Sequence, residues 1–258
     1  MKLVLIKFGG SVITDKTKPY TPQNEIIKQL AEEIHQFHQE NPDTKIILGH
    51  GGGSFPHTSA KKYETHKGFI NDESVCGLAK VQNDAARLNR IIVQALIDAG
   101  ENAMSMQPSS FCITEKCKIT ESYTKPMEKM LEKNMIPVPY GDVGIDLEQG
   151  CCIISTEEIL NHLAEKFEGK KIIEVGNTPV LDEGNQIIKE ITKDNFESIQ
   201  NALGGSGGAA DVTGGMLHKV ELALQVAEKN IETHIIDGTQ QGNLLRTLNN
   251  ENTGTRIY

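Results

Sequence analysis

Short apolar runs alternate along this chain with longer stretches of helical period. Leu3 to Ile6 carries no polar break and is bounded by Lys2 and Lys7, which predicts a buried strand over residues 2–8. Apolar positions then recur at three- and four-residue spacing, predicting a helix over 23–40. The same reading gives a strand at 45–49, helices at 54–64 and 73–99, and a strand at 103–107. A helix at 125–134 precedes strands at 136–140 and 151–155. Next come a helix at 156–168, a strand at 171–176, a short strand at 186–190 and a helix at 193–202. A helix at 214–229 and strands at 233–237 and 253–257 complete the series. This alternation predicts an α/β fold, a mostly parallel central sheet with helices on both faces. Ligands of such sheets gather at the carboxyl ends of the strands. One side of the long helix (Val75, Leu78, Ala79, Ala86, Ile91, Val93, Leu96) reads as core, as do Met104, Met106 and Met127.

At 258 residues the chain can hold one large domain or two lobes sharing a sheet, expected here as 1–168 and 169–258. With 26 Lys+Arg against 35 Asp+Glu the net charge is −9, and no basic run appears. A nucleic-acid partner is therefore not expected, and any phosphate site must concentrate its few cations locally. No apolar stretch approaches the ~20 residues of a membrane span, and no signal peptide is visible, so a cytoplasmic protein is expected. Five cysteines (Cys76, Cys112, Cys117, Cys151, Cys152) lack C-x-x-C spacing and read as reduced thiols rather than metal ligands.

Three glycine-rich segments carry the candidate chemistry. In His50-Gly-Gly-Gly-Ser-Phe-Pro-His57 the glycines join a strand to a helix. Without Cβ atoms, backbone N–H groups can crowd onto a ligand, and the helix start adds unpaired donors and partial positive charge. That combination suits an anion, most often phosphate. The amino terminus repeats the grammar, with Lys7 at a strand end, then Gly9-Gly10-Ser11, then Lys16. Gly204-Gly-Ser-Gly-Gly-Ala-Ala-Asp211-Val-Thr-Gly214-Gly215 leads into a helix bearing Lys219. None matches G-x-x-x-x-G-K-[ST] or G-x-G-x-x-G. Each lysine read alone has a surface reading as the lesser alternative, and three such turns with a cation nearby point to one site for two phosphorylated ligands. His50, at the strand end, is expected to pack rather than react. His35, His38, His66, His162, His218 and His234 show no partner pattern.

Lys7-Phe-Gly-Gly-Ser-Val-Ile-Thr-Asp-Lys16, His50-Gly-Gly-Gly-Ser-Phe…His57, Pro137-Val-Pro-Tyr-Gly-Asp-Val143 and Asp211-Val-Thr-Gly-Gly-Met…Lys219 together resemble the amino acid kinase superfamily. Ile-Thr-Asp-Lys16 and His57 point within it to the branch that accepts a phosphate group, the isopentenyl phosphate kinases. The resemblance implies an αβα sandwich whose amino-terminal lobe holds the acceptor and whose carboxy-terminal lobe holds ATP, and it suggests a homodimer. It implies catalytic roles for Lys7, Lys16, His57 and Lys219. It places ATP at Lys7, Gly9, Gly10, Ser11, Gly53, Asn177, Gly214, Gly215 and Lys219, and the acceptor at Gly52, Gly53, His57 and Ser155. Asp142 and Asp211 would orient lysines and the glycine loop, with Mg²⁺ carried in by ATP. Three departures stand out: Pro56 where the family has glycine, Ile173-Glu-Val-Gly-Asn-Thr-Pro-Val180 in place of Thr-Asp-Val-Asp-Gly, and Ser155-Thr-Glu-Glu158 in place of Ser-Gly-Asp-Asp.

The implied reaction, isopentenyl phosphate to its diphosphate, sets a clear electrostatic demand. Like unit charges ~4 Å apart repel by about 4 kcal/mol at an effective dielectric near 20, so several cations must converge. A phosphate monoester, with its second pKa near ~6, is already a nucleophilic dianion, so no general base is needed. An alcohol acceptor would want a carboxylate beside the glycine loop, and the sequence shows no obvious one. The same loops also suit a fosfomycin- or acetylglutamate-kinase-like enzyme, or a nucleotide- or anion-binding regulator without turnover.

Overall fold

The computed structural model describes residues 2–205 and 215–258, with side chains described outside 201–205. The chain begins β1 (Leu3–Phe8), α1 (Gly10–Ile13), α2 (Asn24–Glu40), β2 (Lys45–His50), α3 (Pro56–Tyr63) and α4 (Ser74–Asp98). It continues β3 (Ala103–Ser105), β4 (Cys112–Glu115), β5 (Lys118–Ser122), α5 (Lys125–Glu132) and β6 (Ile136–Val138). Then come β7 (Asp142–Asp146), β8 (Gly150–Ile154), α6 (Thr156–Lys166), β9 (Lys171–Gly176), β10 (Glu190–Ile191) and α7 (Lys193–Gly205). Last are α8 (Gly215–Ala227), β11 (Glu232–Asp237), α9 (Asn243–Leu248) and β12 (Thr255–Ile257).

All six residues of β1 are buried, as a strand with neighbours on both edges and cover on both faces must be. The main sheet runs β10-β12-β11-β9-β1-β2, parallel except where β11 meets β12. Because side chains alternate across a strand, β1 feeds two cores. Val4, Ile6 and Phe8 face α2 and α4, meeting Leu30, Ile34, Phe37, Leu88 and Ile92. Leu3 and Leu5 face α6, meeting Ile159, Leu160 and Leu163. Lys7 falls on the α6 side by the same alternation, which fixes its partners. The expected α/β sandwich is what the chain forms. The segments 1–168 and 169–258 contribute β1–β2 and β9–β12 to one sheet.

A second sheet, β5-β4-β7-β8, departs from the expected pattern because its neighbours are antiparallel except at β4/β7. No strand was expected at β4, β5 or β7. These are four- or five-residue strands, and β5 (Lys-Ile-Thr-Glu-Ser) is a polar edge with no apolar run to announce it. The strand expected at 186–190 begins only at Glu190, with Ile187 in an isolated bridge to Leu181, and α9 was not anticipated. The buried face of α4 takes in Val93 and Leu96 as expected but departs from the expected one in the first half of the helix. Val75 is 63% exposed, while Gly77, Val81, Ala85 and Leu88 turn inward, Gly77 because the Tyr63 ring packs against its Cα. Met104 is likewise exposed, whereas Met127 is core.

Candidate active site

The carboxyl ends of β1, β2 and β9 stop in register, Phe8 beside His50 and Val175, and the chain leaves each through glycine. Gly9 caps the single-turn α1, whose first amides have no helical partner. The two loops lie backbone against backbone: a Cβ on Gly10 would stand 2.5 Å from the Gly53 nitrogen. Gly53 takes φ +54, which only glycine adopts without strain, and Thr14 stitches the loops together. Its Oγ1 donates to the Gly10 carbonyl (2.6 Å) and accepts from the Ser54 amide (2.9 Å). The Tyr20 amide and the Thr21 amide then bind the Ser54 carbonyl and hydroxyl, which docks the strap carrying Lys16 beside the second loop.

These loops floor a cleft of about 310 Å³ lined by Lys7, Lys16, His57 and Lys219 together. At its base, Lys7 is 4% exposed and ion-paired with Glu157 in the first turn of α6 and, at 3.4 Å, with Glu174. Glu174 is the in-register cross-strand neighbour of Lys7 on β9. Burial alone would lower the Lys7 pKa, but the Glu174 and Glu157 carboxylates outweigh it and raise it, so the ammonium is permanent. Burial likewise pushes the Glu157 carboxyl up, and Lys7, with a smaller contribution from Lys219, brings it below its usual range. Glu157 thus pairs directly with Lys7 and feels the charge of Lys219 from the other half of the chain.

α6 opens on this cleft. Ser155 is its N-cap, accepting the Glu158 amide at 3.1 Å, and the Thr156 hydroxyl donates to the His50 carbonyl at 2.7 Å. His57 faces the cleft from the first turn of α3. Partial desolvation, then the charge of Lys16, holds its pKa below the ordinary 6.5, so the free imidazole is neutral at pH 7. His50 is fully buried, stacked on Tyr140 at 5.6 Å and within 3.0 Å of the Asn89 amide, and burial drives its pKa down to about 4. It packs, as expected.

Gly9, Gly10, Ser11, Gly52, Gly53, Ser155 and Asp142 also line the cleft. Asp142 does not hold a lysine: it accepts the Ser109 amide at 3.1 Å, and burial raises its pKa to about 6. The lysine-holding carboxylate is Glu157, which sequence reading passed over although Ser155-x-x-Glu158 is a helix-start signal that places it in a first turn. The carboxylate thought missing beside the glycine loop is therefore present, engaged by Lys7. Asn177 lies exposed in the bend after β9, away from the cleft lining, and Gly215 opens α8 one turn before Lys219. Asp211 and Gly214 lie outside the described residues. Pro56 occupies the first turn of α3, its ring against the Gly52 Cα, so the missing amide is one no helix would have paired. Ala60, Val81, Ala85, Ile153 and Ile154 form an apolar wall, from positions the helical pattern did not single out.

The chain is similar to several proteins of known activity. The isopentenyl phosphate kinase of Methanocaldococcus jannaschii is 34% identical over 263 residues, covering 99% of this chain and 98% of its own. That of Methanothermobacter thermautotrophicus is 32% identical over 273 residues, again 99% and 98%. An X-ray structure of an isopentenyl phosphate kinase superposes with a TM-score of 0.84 at 28% identity, covering 99% of this chain and 100% of that one. The model of the amino acid kinase family matches residues 2–237. Since that match runs from β1 to the end of β11, it takes in every element that shapes the cleft, and the chain belongs to the amino acid kinase family.

Proposed function

We propose that this protein transfers the γ-phosphoryl group of ATP to isopentenyl phosphate, giving isopentenyl diphosphate and ADP. The observation that carries the reading is the meeting of Lys7, Lys16, His57 and Lys219 over two interlocked glycine loops, beside a wall of five apolar side chains. Cations and amides suit two phosphorylated groups; the apolar wall suits a short hydrocarbon better than the charged body of an amino acid.

In this reading an oxygen of the acceptor phosphate attacks the γ-phosphorus as the bond to the β-phosphate oxygen breaks, and ADP leaves. The acceptor dianion needs no base, which fits a cleft whose Glu157 is already committed to Lys7. His57 donates to the acceptor phosphate alongside the Gly52 and Gly53 amides, with Lys16 adding charge at the mouth. Gly9, Gly10 and Ser11 present α1 amides to the nucleotide phosphates. Lys7 and Lys219 neutralise charge on the transferring group. Mg²⁺ accompanies ATP, supplying further charge neutralisation when bound. The amino-terminal lobe takes the acceptor and the carboxy-terminal lobe the nucleotide, in a cytoplasmic homodimer. No helix of the described residues is long and apolar enough to cross a membrane.

Coupled measurement of ADP release with ATP and Mg²⁺ tests this against isopentenyl phosphate, fosfomycin and N-acetylglutamate. The expected result is turnover on isopentenyl phosphate at least about 100-fold above the others, the scale of two missing charge-assisted contacts. Tight ATP binding with no turnover on any of them would establish the non-catalytic regulator instead. Light scattering checks the dimer.

A further inference from the structure

Two strands of the second sheet and one of its turns bring together side chains that phosphoryl transfer does not use. β8 supplies Cys152, fully buried; β7 supplies Asp146, 2% exposed; the turn joining β4 to β5 supplies Cys117, half-buried. The two sulfurs and a carboxylate oxygen all lie within 4.8 Å of one another. Around one tetrahedral ion, with bonds of ~2.0–2.3 Å, such atoms stand ~3.3–3.8 Å apart, so the group is within a small inward shift of a coordination shell.

The turn argues against coincidence. Glu115 pairs with Lys118, which leaves Lys116 and Cys117 as a two-residue hairpin loop, both left-handed at φ 53 and 60. Such loops favour Asn-Gly, and a cysteine in the glycine position is locally disfavoured. Here that conformation directs Cys117 at its neighbours. Its amide donates to Asp146 Oδ2 at 2.8 Å, and its Sγ accepts from Gln149 Nε2 at 3.5 Å. Asp146 is held further by the Glu148 and Gln149 amides, and Cys152 Sγ lies 3.2 Å from Thr114 Oγ1. Every would-be ligand therefore has a neighbour that fixes its orientation, as ligands in metal sites do.

We propose that Cys117, Asp146 and Cys152 bind one thiophilic divalent cation of the zinc class. Two sulfurs and one carboxylate select such an ion over Mg²⁺, which demands oxygen throughout. Binding exchanges two S–H bonds for two metal–sulfur bonds and releases two protons, with no electron transferred. Cys152 runs directly into Ile153, Ile154 and Ser155 of the cleft, so the ion ties β8 to β7 and the β4–β5 turn just behind the acceptor wall.

Titration of the reduced, full-length protein with Co²⁺, then Zn²⁺, tests this. The expected result is one Co²⁺ per chain with a near-ultraviolet thiolate-to-cobalt band, bleached by Zn²⁺. Cys117→Gly and Cys152→Ser should abolish the band, and Cys112→Ser should keep it. Cys117→Gly also relaxes the turn, so it folds whether or not the site exists. Zn²⁺ should raise the Tm of the wild type and leave that of Cys117→Gly unchanged. The proposal is overturned by a folded, reduced wild type without the band, by a band that survives Cys117→Gly, or by mild oxidation pairing Cys117 with Cys152 in a protein whose reduced form takes up no ion.

Discussion

His50 and His57 stand at opposite ends of one glycine run and differ in what surrounds them. His50 ends β2, where the sheet closes over it: Tyr140 stacks on the ring, Asn89 takes a ring nitrogen, and burial drives the pKa to about 4. His57 begins α3, where the chain has left the sheet, and its ring faces the cleft beside Lys16. The backbone element, strand end against helix start, decides which imidazole is architecture and which is available to a ligand.

The strongest way to break that contrast is to remove the buried ring. His50→Ala leaves a cavity and strips Asn89 of a partner, and should lower unfolding free energy by about 3–4 kcal/mol in urea denaturation. A loss below 1 kcal/mol would mean that the ring is not structural. Next is the pH response. With a folded pKa of about 4, His50 contributes stability that is complete above pH 6.5 and lost as pH falls toward 4. Asp142 has the opposite sign: raised to about 6, it favours the fold below pH 3.8 and costs stability as pH rises through 6. The two mask each other in the wild type. Asp142→Asn should therefore match wild-type stability near pH 3 and exceed it by about 3 kcal/mol at pH 7, from roughly two pKa units. An unchanged difference across that range would show that Asp142 titrates normally.

On the open side, His57→Ala should lower kcat/KM for isopentenyl phosphate about 100-fold, the worth of a charge-assisted hydrogen bond, with Tm unchanged. A shift of Tm without loss of activity would reverse the roles assigned to the pair. The smallest effect sharpens the environment of His57 itself. Lys16→Ala should move its imidazole titration upward, read by NMR, because Lys16 is the second cause of its depression after desolvation.

What the sequence disclosed follows from how locally each feature is encoded. Strand-then-glycine is written in consecutive residues, so the loops at Gly9-Gly10 and Gly51–Gly53 and the lysine at the end of β1 were legible. The shared site was an inference from three glycine-rich turns with cations nearby; the backbone contact between Gly10 and Gly53 realises it for two of them, and most of the third lies outside the described residues. Glu157 was missed because its partner Lys7 is 150 residues away, and a first-turn glutamate alone reads as dipole compensation. Asn177 enters as a partial substitute for the family's Thr-Asp-Val-Asp-Gly stretch, and it stands exposed in the bend after β9. Cys117, Asp146 and Cys152 carry no spacing signal because a turn and two different strands supply them. The hairpin β4–β5 that delivers the first is too polar to be read as strand.

The in-register ladder between β1 and β9 bears on how ligands get in. Five paired positions, Val4 to Phe8 against Lys171 to Val175, fasten the first part of the chain to the second at mid-sheet. The molecule cannot swing apart there like a hinged shell without tearing its central hydrogen bonds. Admission of two bulky anions therefore falls to the rim of the cleft rather than to a parting of its two halves.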